Sequence, residues 1–192
     1  GVDLNIELPF IYNLFDSDAR AKLMRKNHPW LLKAEGIREK RLPKTHGLLQ
    51  RATRMDFSNY LPEDVLVKVD RSSMLNSLEI RSPLLDYRII EFAFSRVPSQ
   101  FKATSIQRKI LLKSLAKKLL PLEFDLNRKQ GFSIPLAQWL KEGSFRNYFY
   151  DVLLDSSCTF DREYVLTLLK GQDRGIQNSE RLFGLLMFEL WK

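Results

Sequence analysis

Apolar residues recur every three or four positions along most of this chain and almost nowhere alternate, so the pattern predicts helices. Ser17, followed by Asp18, Ala19, Arg20, Ala21, Lys22, Leu23 and Met24, predicts a short capped helix, and residues 30–40 a second. After Pro43 and Gly47, the residues Leu48, Leu49, Ala52, Met55 and Phe57 give an irregular helical pattern over 48–60. Pro62 with Glu63 and Asp64 suits a first turn: proline needs no partner for its missing N–H, and carboxylates favour the positive helix end. That helix is expected to run to about Asn76, with Val65, Leu66, Val69 and Met74 along one side. Asp70 stands four residues from both Leu66 and Met74 and shares that side, which predicts a carboxylate shielded from solvent. Two readings stay open for it: burial against a neighbouring arginine, or a place in a site.

Asp86 caps a helix containing Ile89, Ile90, Phe92, Ala93 and Phe94, and Ser105 caps one with Ile106, Ile110, Leu111, Leu115 and Leu119, which Pro121 ends. The polar, basic stretch 122–133 around Gly131 reads as a loop, after which Pro135 opens a short helix with Leu136, Trp139 and Leu140. Helices also start at Ser144, Asp161 and Ser179, the last apolar on nearly every face and therefore central and buried. Only Leu4-Asn5-Ile6-Glu7-Leu8 alternates like a strand, and it is short and lacks a partner. No longer period recurs, so solenoids are not supported. The fold class is all-α, a non-repeat helical domain.

Composition agrees with an ordinary globular chain: 192 residues, 44% hydrophobic, 28% charged, and eight each of Gly and Pro. No apolar run is long enough to span a membrane, the densest stretch, 182–191, being interrupted by Gly184 and Glu189. The first residues carry neither a basic region nor an apolar core of a secretion signal, and no Met. They suggest a chain that begins partway through a longer protein, although a processed terminus would read the same. Cys158 stands alone, so it forms no internal disulfide or zinc site, and a cytoplasmic setting is expected. The net charge of +8 favours anionic partners: nucleotide phosphates, nucleic acid or an acidic protein face. Much of the excess lies in 102–129, where Lys102, Arg108, Lys109, Lys113, Lys117, Lys118, Arg128 and Lys129 face only Glu123 and Asp125.

The usual self-contained catalytic signatures are missing: no phosphate-cradling glycine loop, no Gly-x-Ser-x-Gly, no cysteine pairs. His28 and His46 lack metal-ligand spacing and read as surface residues; Phe10, Tyr12 and Trp30 read as packing residues. Five ordered segments carry more. Residues 61–74 read Leu-Pro-Glu-Asp-Val-Leu-Val-Lys-Val-Asp-Arg-Ser-Ser-Met, and 77–86 read Ser-Leu-Glu-Ile-Arg-Ser-Pro-Leu-Leu-Asp. Arg108-Lys109-Ile110-Leu111-Leu112 follows, and then Arg128-Lys129-Gln130-Gly131-Phe132-Ser133-Ile134-Pro135-Leu136. Leu185-Leu186-Met187-Phe188-Glu189-Leu190-Trp191 ends the series.

Together these segments resemble the C-terminal part of glutamine-hydrolysing asparagine synthetases and related ATP-dependent amidotransferases. The resemblance divides the chain into an N-terminal helical segment, 1–47, that matches weakly, and a synthetase-like portion, 48–192. It implies the C-terminal helical portion of an adenine-nucleotide α-hydrolase-like (ATP pyrophosphatase) synthetase domain. In that family a glutaminase domain with an N-terminal Cys releases ammonia, and the synthetase domain adenylates aspartate with ATP and Mg2+. Ammonia then displaces AMP. The family's Ser-Gly-Gly-x-Asp-Ser loop and its magnesium-holding acidic loop are both absent from these residues, so the metal ligands are not in this chain. The implied partners are therefore the nucleotide-binding half of the synthetase domain and an N-terminal glutaminase, and the chain alone is expected to be inactive.

Carried over by motif, Lys129 corresponds to the family's catalytic lysine, which stabilises negative charge at the adenylate, and Lys109 to a phosphate-contacting lysine. Gly131 would permit the turn of that loop and Phe132 anchor it, while Asp70, Arg71, Glu79 and Arg81 would orient the site. Leu84-Leu85 stands where Phe-Leu is common and Asn127-Arg128 where Arg-Pro is common, which leaves open whether aspartate or another carboxylate is amidated. A homodimer is also left open. Two readings compete: a basic helical module that binds nucleic acid, and a scaffold without catalysis. The first is disfavoured because the basic excess surrounds one helix and its following loop rather than forming a recognition face with base-reading side chains.

Overall fold

A computed structural model describes residues 8–10, 13–24, 33–40, 47–128, 131 and 134–192, without the side chains of 9, 33–35 and 38. The expected strand at 4–8 lies outside these except for Leu8, which opens a 3-10 turn, Leu8–Phe10. The described residues are mostly helical and contain no strand; their only extended pairings are two isolated bridges, Met24 with Phe160 and Ala103 with Arg108. The chain resolves into two compact units, one of Gly1–Pro9 and Ile37–Gln130, the other of Phe10–Gly36 and Gly131–Lys192. The helix α1 is Ser17–Leu23, and α2, Lys33–Lys40, spans the division between units. Asp16, not Ser17, caps α1: its Oδ1 accepts the Ala19 N–H at 2.7 Å, because a carboxylate is the stronger acceptor at a positive helix end.

The second unit holds the larger core. Its helices α9 (Ser144–Leu153), α10 (Arg162–Asp173) and α11 (Ser179–Trp191) follow a short α8 (Leu136–Trp139). They bury Phe149, Leu153, Val165, Leu168, Leu169, Leu182, Leu185 and Leu186 in one cluster, joined by Leu23, Leu140, Cys158 and Phe160. Asp161 caps α10 by accepting the Tyr164 N–H, and its own N–H donates to the Leu23 carbonyl at 2.8 Å, which docks α1 on this core. Gly171 is a close approach: a Cβ there would sit 2.8 Å from Asn178 Nδ2, which donates to the Leu168 carbonyl. Contrary to expectation, α11 is buried only along one side. Met187, Phe188, Leu190 and Trp191 are exposed, because the core that covers Leu182, Leu185 and Leu186 reaches only one side of the helix.

The first unit is built on a helical run: α3 (Leu48–Met55), a wide π-helical segment (Asp56–Val65) and α4 (Leu66–Met74) follow without a break. Pro62 therefore does not open a helix; it lies inside one. The wider coil bonds i to i−5, as Leu66 N–H to Leu61 carbonyl shows, and so accommodates a residue that a regular α-helix would reject. Buried Asn59 donates to the Met55 carbonyl at 3.0 Å within this region. Only Leu8 and Met55, with Ala52 against them, form a buried apolar cluster among the described residues of this unit.

The helices α5 (Tyr87–Ser95), α6 (Ser99–Lys102) and α7 (Ile110–Leu119) complete the unit. Asp86 caps α5 as the sequence predicts, accepting the Arg88 N–H. Ser105 caps nothing. The backbone of 103–108 is used up in a turn, with Thr104 N–H donating to the Gln107 carbonyl and Gln107 N–H to Thr104 Oγ1, so α7 starts later, at Ile110. Much apolar surface stays uncovered: Leu75, Ile106 and Leu122 are 87%, 88% and 98% exposed, and Phe92, Leu111, Leu115 and Leu119 are exposed too.

Between α9 and α10, Arg146 donates to both Asp173 oxygens, at 3.1 and 2.9 Å, and the Tyr150 hydroxyl donates to Oδ2 at 2.7 Å. The guanidinium, and after it the phenol, hold the Asp173 carboxyl below the usual aspartate range. A lowered native pKa stabilises the fold above the unfolded value, about 3.9, and that increment is lost as pH falls through the native value. Asp173→Asn is expected to lower the unfolding free energy at pH 7 by about 1 kcal/mol. In melting curves from pH 7 to 2, the gap between wild type and variant should close on the acid side; a gap that stays constant with pH contradicts the assignment.

Candidate functional site

The helix α4 ends in a Schellman turn. Leu78 N–H donates to the Ser73 carbonyl and Ser77 N–H to the Met74 carbonyl, with Ser77 in the left-handed conformation at φ 56°. This turn reverses the chain and leads through Glu79 and Arg81 to a 3-10 turn, Pro83–Leu85, alongside α4. A cavity of about 790 Å3 results, lined by Asp70, Ser73, Arg81, Ser82 and Asp86 together with Pro62, Leu66 and Val69. Two of the predicted site residues, Asp70 and Arg81, thus share one cavity.

Asp70 is exposed, which corrects the expectation of a shielded carboxylate. The side of α4 that carries it faces the open cavity rather than another helix, so neither burial nor a neighbouring arginine claims it. Arg81 turns instead to Glu79, with Nε and Nη2 at 3.0 and 2.8 Å from Oε1. Glu79 thereby joins the rim through Arg81, whereas Arg71 is exposed and does not line the cavity. Asp86 was legible in the sequence only as a cap, yet it also lines the cavity. Its two oxygens accept from Arg88 Nε and Nη2 at 2.9 and 2.7 Å, and Arg88 holds its carboxyl below the usual range. Its place three residues after the Arg-Ser-Pro turn was the available signal. The cavity thus presents carboxylates and a guanidinium with no nucleophile paired to a base; it can orient a polar group or chain segment, not attack one.

Lys109 lies elsewhere. It caps α7 in the left-handed region, φ 57° and ψ 38°, with its carbonyl accepting the Lys113 N–H, and its side chain is exposed. The expectation that it lies within a helix is corrected by that backbone. Further along α7, Lys113 Nζ donates to Asn127 Oδ1 at 2.9 Å, and Asn127 N–H donates to Asp125 Oδ1 at 2.8 Å. Residues 125–127 are thus fastened to α7 directly before the basic loop. Lys129 and Phe132 lie outside the described residues. At Gly131 the backbone is not left-handed, and among the described residues a Cβ would meet nothing within 4 Å.

Among the described residues no group of three or more His, Cys, Asp or Glu could hold a metal ion, and those residues do not fit magnesium. Nor is any described helix long and apolar enough to cross a membrane. An all-α protein with a polar cavity at a helix end and a solvent-facing basic helix is the class these features define. The asparagine synthase family model matches residues 8–192, and the chain belongs to that family. Asparagine synthetase [glutamine-hydrolyzing] 1 of Bacillus subtilis (strain 168) is 32% identical over 142 residues, 71% of this chain and 22% of the relative. A protein of Mycobacterium bovis (strain ATCC BAA-935 / AF2122/97), named provisionally as an asparagine synthetase [glutamine-hydrolyzing], is 32% identical over 144 residues, 73% of this chain and 22% of its own length. The chain therefore spans about a fifth of the curated relatives it matches. No solved structure matches it significantly.

Among the described residues, Ser77 and Lys109 are the left-handed non-glycine positions, and they carry steric strain that glycine would not. Ser77→Gly and Lys109→Gly are each expected to raise the unfolding free energy by up to about 1 kcal/mol, after the extra entropy of an unfolded glycine is offset. Urea titrations check this; destabilisation by either substitution would show that the side chain has a structural partner.

Proposed function

We propose that this chain is the C-terminal helical portion of an ATP-dependent synthetase that amidates a carboxylate, aspartate or a similar acid, with ammonia drawn from glutamine. Family membership over residues 8–192 supports the class. The observation that carries the site is the Lys113–Asn127 bond, because it anchors the segment leading into Lys129 on the helix that Lys109 caps. The segment that leads toward Lys129 then sets out, on this reading, from the helix that Lys109 caps. On this reading residues 48–192 form the synthetase portion and 1–47 an N-terminal helical segment. The nucleotide-binding half and a glutaminase domain would come from the rest of a longer, cytoplasmic protein.

Lys109 would hold a phosphate of the substrate ATP, whose chemistry is to activate the carboxylate by adenylation. Negative charge grows on the α-phosphate in that step, and on the acyl oxygen when ammonia attacks. An ammonium fixed beside both positions favours each transition state over its ground state. Lys129 would serve there, reaching from a loop into a neighbouring phosphate site where exclusion of water strengthens its field. Asp70, Arg71, Glu79, Arg81 and Gly131 would be positioning residues, with Glu79 and Arg81 held as a pair.

Lys129→Ala in the full-length protein is expected to lower synthetase turnover about a hundredfold or more, as loss of one fixed transition-state donor does. Ammonia release from glutamine in the same preparation should hold nearly steady. Product formation within about threefold of wild type, with an unchanged melting temperature, would remove Lys129 from the site. A second expectation concerns the 192-residue chain by itself: incubated with ATP, Mg2+ and aspartate, it releases no pyrophosphate above background. Turnover at a full-length rate would show that the catalytic residues all lie within it.

A further inference from the structure

The segment that follows α7 stands away from that helix. A cavity of about 560 Å3 lies beneath it, bounded by Ala116, Lys117 and Leu120 on one side and by residues 121–127 on the other. Leu122 is 98% exposed and Phe124 is exposed as well, so past Pro121 only Leu126 among its apolar side chains is half-buried. No residue from 122 to 128 is a proline that would stiffen the backbone. Neither packing nor covalent restraint therefore fixes where the segment ends.

The segment doubles back along α7, for Asn127 lies beside Lys113 while the helix itself runs on to Leu119. From Lys113 to Leu119 the helix rises about 9 Å, whereas the chain over 120–127, fully extended, reaches up to about 27 Å. That slack admits many end points, and one contact selects among them. Lys113 Nζ donates to Asn127 Oδ1 at 2.9 Å, and among the described residues no other hydrogen bond joins α7 to 121–127. The carboxamide projects from a fixed backbone, because Asn127 N–H donates to Asp125 Oδ1 at 2.8 Å in an Asx turn. Lys113 is half-buried, while Lys117 and Lys118 of the same helix are exposed.

We propose that Lys113 and Asn127 are a positioning pair for the synthetase reaction: their bond sets where the chain enters the loop of Lys129, and so where that ammonium is delivered. The pairing rests on the synthetase reading above. A displacement of about 1 Å at a reacting group is enough to cost much of its effect, so a clasp remote from the chemistry can govern turnover. Neither side chain touches substrate on this account. Its loss therefore falls on kcat and leaves KM alone.

The full-length enzyme tests this with Lys113→Met, which keeps the stem and removes the donor, and Asn127→Leu, which keeps the shape and removes the acceptor. Each is expected to lower synthetase kcat about fivefold, the scale of one solvent-exposed hydrogen bond, with KM for ATP and for the carboxylate within about twofold and ammonia release unchanged. The double variant should be no slower than either single one. In a Lys129→Ala background neither substitution should slow the enzyme further, which general weakening of the fold would not reproduce. Lys118→Met, on the same helix, should leave turnover unchanged. The two variants break the bond from opposite ends, so misfolding of one, seen in its melting temperature, leaves the other to decide. Turnover within about twofold of wild type in a folded variant overturns the pairing, and so do additive losses in the double variant or an equal loss with Lys129 already removed. If Lys129→Ala is itself without effect, the synthetase reading falls and the pairing with it. If Lys129→Ala is slow while Lys113→Met and Asn127→Leu are normal, only the pairing falls.

Discussion

Pro62 lies within a helical run that continues from residue 48 to residue 74, and the structure tolerates it only because the coil widens around it. The rest of the first unit follows from that device. A break at Pro62 would free α4 to leave α3 at a new angle, and the turn that brings Arg81 beside Asp70 depends on where α4 ends. The widened coil also sets Phe57 against Phe94 of α5. One accommodation of a missing N–H thus bears on the cavity beside α4 and on a second one, between α3 and α5.

The two units differ in how they are held. The second buries a continuous cluster of leucines, Phe149 and Val165, and supports it with polar pairs such as Arg146 with Asp173. Glu189 is a further case: its side chain is 4% exposed, accepts the Thr159 N–H and pairs with Lys192 at 2.5 Å. The first unit has little buried apolar surface among its described residues, and its α7 leaves Leu111, Leu112, Leu115 and Leu119 exposed. Leucine faces without cover, on a chain spanning about a fifth of its relatives' length, are what a part of a larger fold would show.

Helix class, the Asp86 and Asp161 caps, the start of α8 after Pro135 and the family motifs were all legible in the chain, because periodicity, cap chemistry and motif order are local properties. The sequence also placed Asp70 and Arg81 among related residues, but not in one cavity. What local pattern could not decide was competition between neighbouring signals. Pro62 with two carboxylates reads as a helix start, yet the turn before it was already helical and continuing it saved the backbone bonds. Ser105 reads as a cap, yet a turn claimed its neighbours first. Asp70 follows the apolar side of α4, and it is exposed because that side borders an open cavity. Burial depends on what approaches from elsewhere in the chain, and so Asp70's exposure, the one-sided burial of α11 and the meeting of Arg54 and Lys102 on Phe94 were settled by tertiary structure alone.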